Sequence, residues 1–281
     1  MKTKLIVGES VRIDLRMVTR EITMSKRIMV IPDTQIRPGD DLSFLDAIGR
    51  YAVEMKPDII VHLGDFADMP SLSSHDKAGS KSMEGQRYKA DIQASKDAMK
   101  VLLSPVRAEQ KRLTDTKKAR WKPRLVMLGG NHEHRINRAI QNDPKLDGLI
   151  SLGDLEYEKS GWEFIPFLQP IVIEGIAFCH YFVSGVMGNP CNTARMLLLK
   201  HHQSCIAGHQ QGRDIAYGKR ADGTEMTALI AGSCYEHEEH YLNHQTNNHW
   251  RGLYILHDVN NGSFDEMPVS LKYLRKKYAG I

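Results

Sequence analysis

Apolar residues along the chain gather into short runs, and each run ends on a turn residue followed by a side chain able to bind a metal. Ile59, Ile60, Val61 and Leu63 stop at Gly64, as a buried strand does where the backbone turns sharply, and Asp65 and Asp68 follow. The same shape recurs. Ile28–Ile31 leads through Pro32 to Asp33, Leu125–Leu128 through two glycines to Asn131 and His132, Ile176–Cys179 to His180, and Cys205–Ala207 to His209. An acidic residue after one strand is ordinarily a turn or a helix cap. Five strand ends that each present an oxygen or an imidazole point instead to a site at the carboxyl edge of a sheet.

Between these runs the period lengthens. Leu42, Leu45, Ile48, Ala52 and Met55 form one helical face that Pro57 closes, and further helices are expected over about Gln86–Leu103, His134–Gln141 and Asn192–His201. Residues 66–86 read as a long polar loop and 145–170 as an irregular, aromatic-rich connection. Alternation then predicts antiparallel strands: a hairpin over Ile171–Phe178 turning at Glu174-Gly175, then Arg213–Tyr217, Met226–Ala231 and Gly252–His257, with turns at Ala221–Gly223 and Asn260–Gly262. Near the start, Val11, Ile13, Leu15 and Met17 alternate with polar residues. Residues 1–26 are therefore expected to be an added edge strand or arm, ahead of one domain over 27–281. The element order predicts an α/β, four-layer αββα sandwich of two mixed sheets flanked by helices, rather than a doubly wound Rossmann fold.

Composition changes this picture little. At 281 residues, 41% hydrophobic and 26% charged, the chain is that of an ordinary soluble protein, and no apolar run approaches the length of a membrane span. The first residues hold too short an apolar stretch for a signal peptide. Cys179, Cys191, Cys205 and Cys234 form no CxxC pair and read as reduced core thiols, so a cytoplasmic setting is expected. The net charge of +4 is mild, but Arg107–Arg124 carries eight basic residues against Glu109 and Asp115. That run is either a solvated face or a strip for phosphate backbones, and Trp121 within it either stacks on a base or anchors the loop.

Taken in order, Asp33-x-Gln35, Gly64-Asp65-x-x-Asp68, Gly130-Asn131-His132-Glu133, His180 and Gly208-His209-x-Gln211 resemble the motifs of the calcineurin-like metallophosphoesterases, most of all their compact phage-encoded members. The resemblance spans about Ile28–His257. It implies two divalent ions, with Asp65 bridging, Asn131, His180 and His209 on the second ion, and Asp33, Asp65, Gln35 and Gln211 on the first. Where the family carries DxH and GHxH, this chain has Asp33-Thr-Gln35 and Gly208-His-Gln-Gln211. Two carboxamides in place of imidazoles make the first site weaker and harder, which favours Mn²⁺, with Mg²⁺, Ni²⁺, Zn²⁺ or Fe as alternatives.

The resemblance also implies a metal-activated hydroxide attacking phosphorus, His132 as general acid and Asp68 holding its ring. Family members that act on phosphoproteins carry arginine after the second carboxylate, where this chain has Met69. A dianionic monoester needs that cation more than a diester does. The expected activity is thus a phosphodiesterase or nuclease on DNA or RNA, in the host cytoplasm if phage-encoded, with His134 and Arg135 either substrate contacts or part of a solvated helix face. A phosphomonoesterase on nucleotides or nucleic-acid ends is the alternative, and a nucleic-acid-binding protein that lost catalysis is the non-enzymatic one. The oligomeric state is left open. His62 is expected to be a satisfied core residue. Glu236-His-Glu-Glu-His240 is no HExxH zinc motif, since its histidines are three apart, and His237, His240, His244 and His249 are expected to line a loop near the cleft mouth or to bind metal adventitiously.

Overall fold

The computed structural model describes residues 25–73, 79–237 and 249–279, and all that follows concerns these. The alternating stretch Val11–Met17 and most of the histidine-rich segment, His240 and His244 included, lie outside the described residues.

In chain order the elements are β1 (Lys26–Ile31), α1 (Ser43–Met55), β2 (Ile59–His62), α2 (Tyr88–Asp115), β3 (Arg124–Leu128), α3 (His134–Asn142), β4 (Glu163–Ile165), β5 (Ile171–Ile173), β6 (Ile176–Cys179), α4 (Ala194–His201), β7 (Cys205–Ala207), β8 (Arg213–Lys219), β9 (Glu225–Ala231), β10 (Gly252–Asn260), β11 (Ser263–Ser270) and α5 (Leu271–Tyr278). One sheet has the order β11-β10-β1-β2-β3-β4 and the other β5-β6-β7-β9-β8. Both are mixed: β1, β2, β3 and β4 run parallel, as do β6, β7 and β9, and antiparallel strands complete each sheet.

Three buried apolar layers hold the sandwich together. Ile28, Val30, Val61 and Val126 face Phe178, Ile206 and Leu229 between the sheets. Met29, Ile31, Ile60 and Met127, alternate residues of the same strands, face α1, α2 and α5. Cys205, Ala228 and Ile230 pack with Leu197 and Leu198 of α4 on the far side. Strands buried on both faces need continuous apolar sequence, which is why β1, β2 and β3 could be recognised from composition alone. The expected αββα sandwich is the observed fold.

Local signals act as expected at several points. Lys56 closes α1 in the left-handed region just before Pro57. The Glu174-Gly175 turn has both residues at positive φ, the geometry that matches strand twist in a two-residue hairpin. The Thr193 and Ser270 hydroxyls cap α4 and α5 by accepting from Met196 N–H and Tyr273 N–H.

Three expectations need correction. The helix expected to end at Leu103 continues through Pro105 to Asp115, because Val106 and Leu113 keep burying the same face. The connection 145–170 contains β4, a three-residue strand too short to show a period. The C-terminal helix α5 was not anticipated. It packs Leu271 and Leu274 against the first sheet's outer layer.

Candidate metal centre

The loops after β1, β2, β3, β6 and β7 meet at one edge of the sandwich. Thr34 N–H and Gln35 N–H both donate to the Asp65 carbonyl, and Gly208 N–H donates to the His180 carbonyl, so the loops of each sheet are tied by backbone bonds. A bond from His180 Nδ1–H to the Leu63 carbonyl, 2.9 Å, crosses between the sheets. It fixes the tautomer and turns Nε2 inward. There Nε2 lies 2.9 Å from Asn131 Oδ1 and 3.4 Å from Asp65 Oδ2. His209 Nδ1 is also 2.9 Å from Asn131 Oδ1. The ligand atoms of Asp65, His180 and His209 all lie within 4.8 Å of one another. The Asp33 carboxylate accepts from His209 N–H at 3.1 and 3.2 Å, which ties β1 to the β7 loop.

Glycine makes this convergence possible. A Cβ on Gly130 would overlap the Asp65 backbone and carboxylate, and one on Gly64, at φ +98°, would run into Gly130. Asp65 itself sits at φ +49°, a strained conformation for a residue with a side chain.

Charge in the cluster fits a cation. Asp33, Asp65 and His180 are buried almost completely. Burial, resisted by His180 and reinforced by Asp65, pushes the Asp33 carboxyl up to about 7. Asp65 is held well below the carboxylate range: burial works against its charge, but His132 and His180 outweigh it. Burial opposes charge on His180 too, yet Asp65 and Asp33 push its imidazole up to about 10. Burial depresses His209 to about 4, leaving it neutral. Two buried carboxylates, a carboxamide oxygen and two imidazoles are a donor set for divalent ions. Without an ion, the proton on His180 Nε2 supplies the balancing charge. Metal binding near pH 7.5 should therefore release about one proton, and affinity should rise with pH through the neutral range. Calorimetric titration in buffers of different ionisation enthalpy checks this; identical heats would contradict it.

The two glutamines differ in their surroundings. Gln35 is buried, and its amide makes no hydrogen bond among the described residues. The Gln211 Oε1 atom accepts from the Tyr235 hydroxyl.

Beside the cluster, His132 Nδ1 lies 2.5 Å from Asp68 Oδ1, and its Nε2 is 3.7 Å from Asp65 Oδ2. Burial opposes charge on His132, but Asp65 and Asp68 more than compensate and its pKa is raised. Asp68 also pairs with Arg37. Arg135 is buried rather than displayed on a solvated helix face. Its Nη1 donates to the Asp68 carbonyl at 2.8 Å, and its Nη2 lies 3.3 Å from His132 Nε2. Burial works against charge on Asp68, but these partners together hold it at about 2.

Glu133 has a part that sequence reasoning did not assign. Fully buried, its carboxylate accepts from Asp65 N–H at 3.0 Å, Ala67 N–H at 3.0 Å, Gly130 N–H at 2.9 Å and the Tyr157 hydroxyl at 3.1 Å. One side chain thus joins the loops that carry Asp65 and Asn131.

The sequence of residues 26–211 matches the family model described as calcineurin-like phosphoesterase. The chain belongs to that family. Calcineurin-like phosphoesterases hydrolyse phosphate esters with bound metal, and the cluster around Asp65, His180 and His209 is this member's candidate metal site. The chain is 45% identical over 199 residues to the Gene 54 protein of Mycobacterium phage L5, covering 68% of this chain and 71% of that one. It is 45% identical over 85 residues to the Gene 54 protein of Mycobacterium phage D29, covering 30% of this chain and 31% of that one. Among solved structures, the phosphoesterase YfcE of E. coli aligns over 87% of this chain and 99% of its own, at 12% identity and a TM-score of 0.35.

Other candidates lie elsewhere. The basic run does not line this calcineurin-like site. Arg124 begins β3, at the opposite end of the strand from Asn131. Glu109 pairs with Lys56 and Arg112, Lys111 with Asp115, and Arg124 with Glu163. Trp121 is an anchor, with Nε1–H donating to the Pro57 carbonyl at 2.8 Å. His62 is satisfied as expected: Nδ1 accepts from Gly64 N–H at 3.3 Å and Nε2 faces the Thr34 hydroxyl at 3.3 Å. His237 stacks on Tyr235 at 4.1 Å, and His249 Nδ1 lies 3.5 Å from the Tyr235 hydroxyl, so both adjoin the Gln211 side of the site.

Proposed function

We propose that this metal-dependent phosphoesterase is a phosphodiesterase that acts on nucleotide or nucleic-acid esters, with His132 as general acid and Mn²⁺ as the favoured ion. Asp33, Asp65, Asn131, His180 and His209 would hold the ions, with Gln35 and Gln211 completing a weaker first site. Bound divalent ions would supply Lewis-acid activation of water and neutralise charge on the phosphoryl oxygens.

The observation that carries the diester reading is Met69. Its backbone is left-handed, at φ +55°, and its side chain is fully buried in the helix-side core. No cation projects from that position toward a second phosphate charge. His132 suits the departure of an alkoxide: Asp68 fixes Nδ1–H, so the proton given up comes from Nε2, the nitrogen beside the metal cluster. Asp68 orients the ring and stabilises the imidazolium. Asp65 accepts from His132 N–H at 2.9 Å and so couples the acid to a carboxylate that would hold metal.

One observation favours a monoesterase. Arg37, partly exposed and paired with Asp68, brings a cation to the lip of the site. The ratio of bis-p-nitrophenyl phosphate to p-nitrophenyl phosphate turnover, with stripped protein reloaded with Mn²⁺, Mg²⁺, Ni²⁺ or Zn²⁺, separates the two readings. A diester preference of at least ten-fold with Mn²⁺ is expected, and a monoester preference would reverse the conclusion. Phage-encoded relatives support a host-cytoplasmic setting.

A further inference from the structure

A row of aromatic rings extends from the metal centre onto α3. Tyr181 lies 4.8 Å from the His209 ring, Phe167 5.6 Å from Tyr181, and His134 4.9 Å from Phe167, tilted by only 30°. Phe167, Tyr181 and His134 are all partly exposed. None is needed to close a core: all three stand outside the three buried layers. Phe167 and His134 border a cavity of about 250 Å³ whose floor is Gly129-Gly130, the turn that leads directly to Asn131.

Several features of this cavity go beyond an apolar crevice. Gly129 lets the Phe167 loop close over it, since a Cβ there would meet the Phe167 backbone and the Phe164 ring at 3.0 Å. Leu168, next to Phe167, is held at φ +64°, an unfavourable conformation for leucine that persists only where its surroundings impose it. Asn137 lines the wall, and its carboxamide makes no hydrogen bond among the described residues. Arg138 lies near enough to depress the charge on His134, though burial is the larger cause, and it makes no ion pair among the described residues. Planar faces, one amide offering both a donor and an acceptor, and a nearby cation are what a nucleobase on a phosphodiester backbone requires. A purely hydrophobic leaving group would not use the amide or the cation.

We infer that the cleft between α3 and the Pro166–Phe167 loop is a nucleobase subsite. It would stack a base on Phe167, read its edge with Asn137 and lead its phosphate to the metal centre. This deepens the phosphodiesterase reading and rests on it for the substrate's chemistry, though base binding can be measured without turnover.

The test is equilibrium binding of a thymidine dinucleotide with a methylphosphonate linkage, which presents bases on a neutral linkage and is not expected to be cleaved. It is compared with the same backbone lacking both bases, on the full-length metal-loaded protein. Wild type should prefer the base-bearing ligand by about ten-fold, the scale of one base–aromatic contact. Phe167→Leu should remove most of that preference and Asn137→Ala part of it, each measured after thermal melting confirms folding. Should Phe167→Leu fail to fold, Asn137→Ala decides alone. Equal binding of both ligands to wild type, or an undiminished preference in the variants, would overturn the subsite. A tetranucleotide at least ten-fold tighter than a mononucleotide would assign the base to a strand, and equal affinities to a free nucleotide. Base preference in a protein that cleaves no diester would leave the subsite standing and refute the phosphodiesterase reading alone.

Discussion

His132→Ala is expected to lower phosphoester turnover by roughly 10²–10⁴-fold, the range that a positioned general acid contributes, with metal content unchanged. The side chain touches the cluster only through its 3.7 Å approach to Asp65 Oδ2, while its backbone N–H, which alanine keeps, makes the 2.9 Å bond to Asp65 Oδ1. Chemistry should therefore suffer and metal binding should not. The loss should shrink for esters of acidic phenols, whose leaving oxygens need no proton, and remain full for alkyl esters. Metal analysis beside rates on both ester types checks this. A variant that keeps wild-type rates on alkyl esters would remove His132 from the mechanism, and one that also loses its metal would make it a structural residue.

Glu133→Ala should be the most destabilising single change near the site. It leaves Asp65 N–H, Ala67 N–H and Gly130 N–H without an acceptor in a place water does not reach, and it frees the Tyr157 hydroxyl. Each stranded buried donor costs about 1–3 kcal/mol, so the three together give a loss of at least about 3 kcal/mol. Glu133→Gln keeps one oxygen but turns an amide N–H toward a backbone N–H, and should fall between the two. It should also weaken metal binding, because fewer bonds then join the loops bearing Asp65 and Asn131. Denaturant unfolding of both variants, with metal titration of Glu133→Gln, measures these effects. An alanine variant within 1 kcal/mol of wild type would show that the carboxylate is dispensable.

Much of this was legible in the chain. A strand buried on both faces has to be continuously apolar, and a ligand loop has to turn at once, so β1, β2, β3, β6 and β7 each carry their own marker. Glu133, though within the Gly130–Glu133 motif, and Arg135 carry no marker of the direction they face. At the start of α3 a glutamate suits the helix dipole and an arginine suits solvent, and only the fold shows that both point inward at the loops after β2. The place of the basic run in the fold was hidden for a related reason. Charge density does not say which end of a strand it flanks, and Arg124 starts β3 while Asn131 follows its end. The end of α2 was hidden by Pro105, which ordinarily interrupts a helix but here packs against Gly49 of α1.

The neighbours of β1 govern when the molecule can become active. Asp33 follows a strand that lies between β2 and β10, and Met29 is paired with Ile255, more than two hundred residues later in the chain. On a ribosome, β1, β2 and β3 emerge early, but β1 keeps an open edge until β10 has left the exit tunnel. His180 and His209 are by then already synthesised. A nascent chain therefore holds nearly all its ligands before it can seat the first of them, and activity should appear only once β10 has emerged from the tunnel.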